Sequence, residues 1–550
     1  MSKPGIANLA GFVVVLSCGL FLLWLWPQSS APESRRPARA ISSPPARDPV
    51  LATPAVGANA PTPDSGIRAL LAALVRAIAR GDARANEAVF TFKDDAALRR
   101  FLDRANKAGL SVTGTVGVLR SVRVRFADLD AMHDELSQNA SDFSSIAANG
   151  LFGIPQQPAR QDRTDVEQVP FGNEALAFLG AKGDRSTWGR GTTIAILDTG
   201  VAADVTFGLG RVRPLDIGLG LAPGHGDEDG HGTAVAALAA GAAVDAPGVA
   251  PGANLLSIRV TDASGISDLF TLAQAIVAAV DAGARIINIS LGGYATGAVL
   301  DAAIGYAIQN GALLVAAAGN DQAAQLTWPA ADRRVVSVGA VDKAEQQVSF
   351  SNSGAQLQLT APGYGVQTAW LDGQRVSVNG TSASAPLVAG AVAALISQNP
   401  NLSPQQAVEV LVRTANDTGQ PGADPAFGHG IVNLATALNR NNSSYTDTAV
   451  ASHYYDGAKN EMLFVVQNRS GRTVSGLVLT VNADAATSTV PVPSLAAGET
   501  YVVRFPVSET TLKSAGTLSF TTQLSNPPGT LDTVPANNRR ASVLSAPGNP

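Results

Sequence analysis

The chain has 550 residues, 45% of them hydrophobic and 15% charged, and a formal net charge of −5. That length exceeds one ordinary hydrophobic core, and the composition is that of a packed globular protein, which excludes a wholly disordered chain. The charge is too mild to mark nucleic acid as a partner, and the single cysteine, Cys18, excludes an intramolecular disulfide.

From Leu9 to Trp26 the sequence is apolar except for Gly11, Ser17 and Gly19. As a helix this run rises about 27 Å, close to the hydrocarbon thickness of a bilayer. Trp24 and Trp26 stand where interfacial aromatic residues lie, and Pro27 ends the run. Residues 1–26 are therefore expected to be a membrane anchor or a signal segment. The anchor is favoured, because a signal's apolar region is usually shorter and the cleavage option Ser29-Ser30-Ala31 is followed by Pro32. Residues 27–64, rich in Pro, Ala, Ser and Arg, show no apolar period and read as an extended linker.

Residues 65–160 carry a compact pattern. Ile67–Ile78 is helix-like, Ala88–Phe92 a short strand, and Asp95–Ala108 has helical spacing in Leu98, Phe101, Leu102 and Ala105. Leu110–Phe126 alternates as two strands around a break at Gly114, Ala127–Gln138 is helical again, and Ile146–Ile154 closes the sheet. The order β-α-β-β-α-β is that of a small ferredoxin-like unit.

Between about 165 and 440, short apolar strands alternate with helical segments, which predicts an α/β domain with a parallel sheet covered by helices. Thr193–Leu197 is a buried strand, and Asp198-Thr199-Gly200 lies beyond its carboxyl end, where open α/β sheets place their sites. Asp229-Gly230-His231-Gly232-Thr233 precedes an Ala-rich helix. Ile286–Ile289 leads into Ser290-Leu291-Gly292-Gly293, and Leu313–Ala317 into Ala318-Gly319-Asn320. Gly380-Thr381-Ser382-Ala383-Ser384-Ala385-Pro386 opens a helix over Leu387–Ile396, whose free N–H groups and positive end suit negative charge beside Ser382. Taken singly, each has a plain structural reading as a turn residue, a packed imidazole or a helix cap. Together they supply a hydroxyl, an imidazole and a carboxylate. A hydroxyl is a poor nucleophile without a base in contact, and the imidazole needs a carboxylate to hold its tautomer.

These segments resemble those of the subtilases, the subtilisin-like serine peptidases. The resemblance lies in Ile196-Leu197-Asp198-Thr199-Gly200-Val201, in Gly230-His231-Gly232-Thr233-Ala234-Val235-Ala236 and in Gly380–Pro386. Weaker family segments stand in order among them: Gly248-Val249-Ala250-Pro251, Ser290–Gly293, Ala316–Asn320, Trp328-Pro329-Ala330, Val338-Gly339-Ala340, Ser349-Phe350-Ser351 and Ala361-Pro362-Gly363. The resemblance implies a serine endopeptidase in which Ser382 is the nucleophile, His231 the general base and acid, and Asp198 the orienting carboxylate. It implies further that Asn320 donates to the oxyanion, with the backbone N–H of Ser382 as its partner. Ser290, Leu291 and Gly292 would offer backbone groups to an extended substrate strand. Ala234 departs from the family's motif, which commonly has a second His there, outside the triad. Catalysis of this kind needs no cofactor. Structural calcium is frequent in the family, but no stretch here specifies its ligands.

The flanks are similar to those of the same family. The 65–160 unit resembles an inhibitory propeptide, a folding aid and intramolecular inhibitor, with self-cleavage expected between Pro155 and Pro170. From about 445 to 550 the chain reads as all-β, with strands at Met462–Gln467, Val474–Val481, Tyr501–Phe505 and Thr517–Leu524 spaced as in an Ig-like sandwich. Asp532-Thr533-Val534-Pro535-Ala536-Asn537-Asn538 resembles the closing turn of bacterial Ig-like adhesion domains. The expected protein is secreted or in the cell envelope, held to the membrane by its N-terminal segment if that segment stays, and its substrates are proteins or peptides.

Three rivals remain. An aspartic protease needs two carboxylates, each in a signature of an apolar pair before Asp-Thr-Gly. The tripeptide occurs at Asp198 and again at Asp417, but only Asp198 follows such a pair, since Ala415-Asn416 precedes Asp417. A metal hydrolase draws on His225, Asp227, Glu228, Asp229 and His231, whose spacing matches no helix-borne zinc motif. A non-catalytic cell-surface adhesion protein on a protease fold is the alternative function, although no triad residue is missing.

Overall fold

A computed structural model describes residues 63–155, 168–218, 230–483 and 486–546. The expected anchor or signal segment, the linker up to residue 62, residues 156–167 of the expected self-cleavage stretch, and the acidic cluster from His225 to Asp229 lie outside the described residues.

The first described region grows from two short amphipathic helices, each started by an aspartate. Asp94 accepts the Ala97 amide at 2.7 Å to open Asp95–Arg104, and Asp128 accepts that of Ala131 at 2.9 Å to open Leu129–Asn139. Their apolar stripes, Leu98 and Phe101 on one and Met132 and Leu136 on the other, pack on Phe90, Phe92 and Phe143. Beneath them runs an antiparallel sheet in the spatial order Phe143–Gly153, Ala83–Phe92, Ser121–Phe126, Leu110–Val116. The expected break at Gly114 is displaced. The turn falls at Gly117–Leu119, with Arg120 at φ 50°, and Gly114 lies inside the first strand at a register shift. There the bare backbone lies against Phe270, and a Cβ would come within 2.6 Å of its ring. A close approach, not a turn, is what this glycine serves.

The second region is built on seven strands, all neighbours parallel: Leu359–Pro362, Val336–Val341, Leu313–Ala317, Ile286–Ile289, Thr193–Asp198, Asn254–Arg259 and Val212–Pro214. Both faces are covered. Ile194 and Ile196 point into one buried cluster with the helices His231–Ala240 and Thr381–Gln398, while Ala195 and Leu197 point into another with Leu269–Asp281 and Ala298–Gln309. A strand buried on both faces cannot alternate with polar residues, which is why these strands read as unbroken apolar runs. From the strand Thr193–Asp198 the chain goes first to one side, to Val212–Pro214 at the edge and then to the neighbour Asn254–Arg259, and only then to the other side, Ile286–Ile289. This reversal leaves a crevice at the carboxyl end of Thr193–Asp198, beside Asp198.

Thr381–Gln398 is long and apolar enough to cross a membrane, yet 83% of it is buried. It is the central core helix. It starts six residues before the expected Leu387, and Pro386 lies inside it.

The last region has two antiparallel sheets around one core that includes Phe464, Leu479 and Phe520. One is ordered Thr448–Asp456, Glu461–Asn468, Thr500–Pro506, and the other Ala486–Pro491, Val478–Ala483, Thr517–Ser525, Arg539–Ser545. Four of these strands overlap the expected ones. Thr448–Asp456, Ala486–Pro491 and Arg539–Ser545 were not anticipated, and Val474 lies outside a regular strand. Buried Asp532 gathers the Thr448 amide and hydroxyl and the side-chain amides of Asn526 and Asn538 at 2.9–3.1 Å.

Candidate active site

Asp198 is the last residue of its strand and is fully buried. His231 is the first residue of its helix, and its Nδ1–H donates to Asp198 Oδ1 at 2.8 Å. The Thr199 amide donates to the same oxygen at 2.8 Å. A carboxylate can only accept, so the proton of the imidazole sits on Nδ1 and Nε2 keeps its lone pair. The Thr199 hydroxyl accepts the Gly232 amide at 2.9 Å, tying the strand end to the first turn of the helix.

Ser382 is the second residue of the core helix and is 6% exposed. The His231 and Ser382 helices pack side by side, and the core helix also crosses the four strands from Ile286–Ile289 to Leu359–Pro362. Pro386 has no N–H for the Ser382 carbonyl four residues back. The hydroxyl of buried Ser290 donates to that carbonyl at 3.0 Å instead. Ser290 thus reaches the site through its side chain, whereas sequence reasoning assigned it only a backbone part.

Asn320 follows the strand Leu313–Ala317. Its Oδ1 accepts both the amide and the hydroxyl of Thr381 at 2.9 Å, which leaves Nδ2 facing the opposite way. Gly380 marks where that nitrogen points. With φ at 141°, it lies where only glycine is at ease, and a Cβ there would fall 2.8 Å from Ser382 Oγ and 3.0 Å from Asn320 Nδ2. Both atoms therefore border one small space, which is kept open by the missing side chain.

The chain fills the adjoining cleft with its own residues 151–155. Gly153 and Gly292 exchange two backbone hydrogen bonds, at 2.9 and 3.0 Å, as an antiparallel pair. On the other side Ile266–Asp268 pairs antiparallel with Leu151–Gly153, and the Ile154 amide donates to Gly265 O at 3.2 Å. At the end of this strand, Asn320 Nδ2 donates to the Pro155 carbonyl at 3.5 Å. Gly292 meets this extended segment of the same chain, while Leu291 is fully buried beneath. The sequence hid the roles of Gly265, Thr381 and Pro155. Thr381 lay within the quoted Ser motif, but the other two are brought in only by long-range pairing.

The chain matches the subtilase family model over residues 189–430. It is 34% identical to Subtilisin Savinase of Lederbergia lenta over 277 residues, half of this chain and 99% of that one. The chain belongs to the subtilase family. A thermostable alkaline protease of Halalkalibacterium halodurans is 31% identical over 319 residues, covering 56% of this subtilase and 86% of the relative. In fold it is similar to fervidolysin of Fervidobacterium pennivorans, a keratinolytic enzyme related to subtilisin. That match has a TM-score of 0.55 at 20% identity and covers 85% of this chain and 77% of the other. The subtilase is a serine endopeptidase acting on proteins or peptides. Among the described residues no group of three or more His, Cys, Asp or Glu gathers as a metal site. The buried carboxylates Asp417 and Asp424 are taken up by backbone amides of Gln420, Gly422, Ala426 and Phe427.

Proposed function

We propose that Ser382 attacks the peptide carbonyl, with His231 taking its proton and returning it to the leaving amine, and Asp198 holding the imidazole. Asn320 Nδ2 and the Ser382 amide stabilise the oxyanion, preset before charge develops so that no reorganisation is needed. Ser290 is a positioning residue for the nucleophile's turn, and Gly292 binds substrate as an added strand. No step uses a cofactor. The observation that carries this reading is the Pro155 carbonyl at Asn320 Nδ2, on a strand paired through Gly292.

The same observation supports self-processing. The strand order of the first sheet is that of a ferredoxin-like unit, and the last strand of that sheet runs on into the cleft. In this reading residues 65–160 are an intramolecular inhibitor, 165–440 the peptidase domain and 445–550 an Ig-like sandwich. The bond after Pro155 is the one cut. The N-terminal segment directs the protein to the cell envelope or beyond and holds it at the membrane if it is retained. A fluorophosphonate probe tests the assignment, and it should label wild type, abolish casein hydrolysis and spare Ser382→Ala. Wild type should also mature to a shorter chain beginning at Gln156, while Ser382→Ala stays long. Labelling of Ser382→Ala, or equal sizes in a host free of other proteases, would contradict the corresponding claim.

A further inference from the structure

The residue presented at the point of attack is a proline, and its register is fixed from two sides. Gly153 is held by both of its backbone groups to Gly292, and the Ile154 amide by Gly265 O. A slip of one residue would turn Phe152 and Ile154, respectively 1% and 6% exposed, out of their buried positions. Phe152 packs in the cluster that holds Leu269, Phe270 and Leu291, so the frame is anchored by a large apolar side chain as well as by hydrogen bonds.

Proline is the residue an extended, backbone-paired peptide accommodates least, because it brings no N–H to the ladder. Here it falls where the ladder of described hydrogen bonds has ended. The last donor used is the Ile154 amide, and position 155 contributes its carbonyl oxygen to Asn320. A ring that fixes φ near −65° also lowers the entropy lost when the chain end is held extended.

We propose that this site is a post-proline endopeptidase site. Its substrates are extended peptides with proline immediately before the cut bond, an apolar residue before that and an aromatic one two residues further back. The proposal rests on Ser382 as nucleophile. Ser382 Oγ bonds to the prolyl carbonyl carbon and the C–N bond to the next residue breaks. The hydroxyl proton passes through His231 to the leaving amine. Water then hydrolyses the prolyl ester, restoring the Ser382 hydroxyl and releasing a C-terminal proline. The leaving nitrogen belongs to the residue after proline, an ordinary amide, so the ring does not hinder its departure. The competing account is that proline is tolerated only because the segment is tethered, at an effective concentration no free peptide reaches.

Free peptides separate the two. Internally quenched peptides carrying Leu-Phe-Gly-Ile-Pro-Gln-Gln, and the same sequence with Ala for Pro, are given to the full-length protein once it hydrolyses casein. Mass spectrometry locates the cut, and Ser382→Ala serves as control. The expected result is cleavage after proline with kcat/KM at or above that of the alanine peptide. A deficit, cleavage at another bond, or casein hydrolysis with neither peptide cut overturns the specificity while leaving the Ser382 reading intact. Peptide cleavage that persists in Ser382→Ala, or no hydrolysis of casein or peptide at all, overturns both.

Discussion

Asn320 shows how one side chain can serve two ends. Its oxygen takes both donors of Thr381 at the start of the core helix, and its nitrogen donates to the Pro155 carbonyl. Asn320→Ala removes both functions, whereas Asn320→Asp keeps the acceptor and loses the donor. Both variants should lower kcat with KM nearly unchanged, the mark of an interaction made mainly in the transition state. The expected loss is about a hundredfold to a thousandfold, a size already known for an oxyanion-hole amide in a subtilisin rather than obtained from this geometry. Asn320→Ala should in addition melt earlier than Asn320→Asp, because it strands the Thr381 amide, at a cost of about 1–3 kcal/mol. A near-normal kcat with only the melting point lowered would make Asn320 a turn residue. Asp198, His231, Ser382 and Asn320 can be named as candidates from the sequence because each stands in a contiguous motif. Pro155 stands in the sequence only as one limit of the expected self-cleavage stretch, since its contact with Asn320 comes from long-range pairing.

At the scale of elements, the core helix begins at Thr381 and runs through Pro386, whereas the sequence suggests a start at Leu387, after the proline. A proline inside a helix costs one hydrogen bond, and that cost is offset by a hydroxyl from another strand end. Ser290→Ala should leave the Ser382 carbonyl without a donor and lower stability by about 1–3 kcal/mol. Adding Pro386→Ala to that variant restores an N–H four residues along the helix, so the double substitution should recover much of the loss. Urea unfolding of the parent, Ser290→Ala, Pro386→Ala and the double variant, all with Ser382→Ala to prevent self-digestion, reads this directly. No recovery in the double variant would show that the Ser290 hydroxyl acts otherwise. The small sheet teaches a related lesson. Its strands were legible from alternation, but Gly114 was misread because its packing partner, Phe270, lies far along the chain.

At the scale of the whole molecule, the C-terminal sheets are joined to the peptidase region by polar contacts. Gln467 donates to Ala415 O at 2.8 Å, Ser452 to Gly419 O at 2.8 Å, and Arg540 pairs with Glu345. Two titrating groups lie near this junction. Burial raises Asp417 to about 6, with nearby Asp424 adding to the rise and the Gly422 amide and Arg469 opposing it. Burial, and then Arg540, lowers His453 to about 3, with its ring nitrogens on the hydroxyls of Ser542 and Thr522 at 2.8 Å. The signs are opposite. A raised carboxyl favours the folded state at low pH, and that contribution is lost as pH rises from about 4 to 6. A depressed imidazole contributes above about 6.5, and that contribution is lost as pH falls toward 3. Asp417→Asn should therefore gain stability relative to its parent between pH 4 and 7, by about 3 kcal/mol at most. His453→Gln should lose less than its parent as pH falls from 6.5 to 4. Unfolding midpoints across pH in the Ser382→Ala background check both, and parallel curves for parent and variant would refute the corresponding assignment. The three strands missed in this region include the outer edges of its four-stranded sheet. There Ala486–Pro491 is exposed almost throughout and the inward positions of Arg539–Ser545, Arg540, Ser542 and Leu544, are mostly polar, so no apolar alternation can be read.

The strand Phe143–Gly153 belongs to the small sheet along one edge and to the cleft at its far end. Its release is therefore not a matter of one bond. If the chain is cut after Pro155 as proposed, the plug cannot slip out residue by residue while the sheet behind it stays folded, for the same backbone is fastened in both places. It leaves with the whole unit or only after that unit has come apart. Under the proposed self-processing, the delay between cutting and competence would follow the stability of the small sheet, a fuse whose length is written into Phe90, Phe92, Phe101 and Phe143.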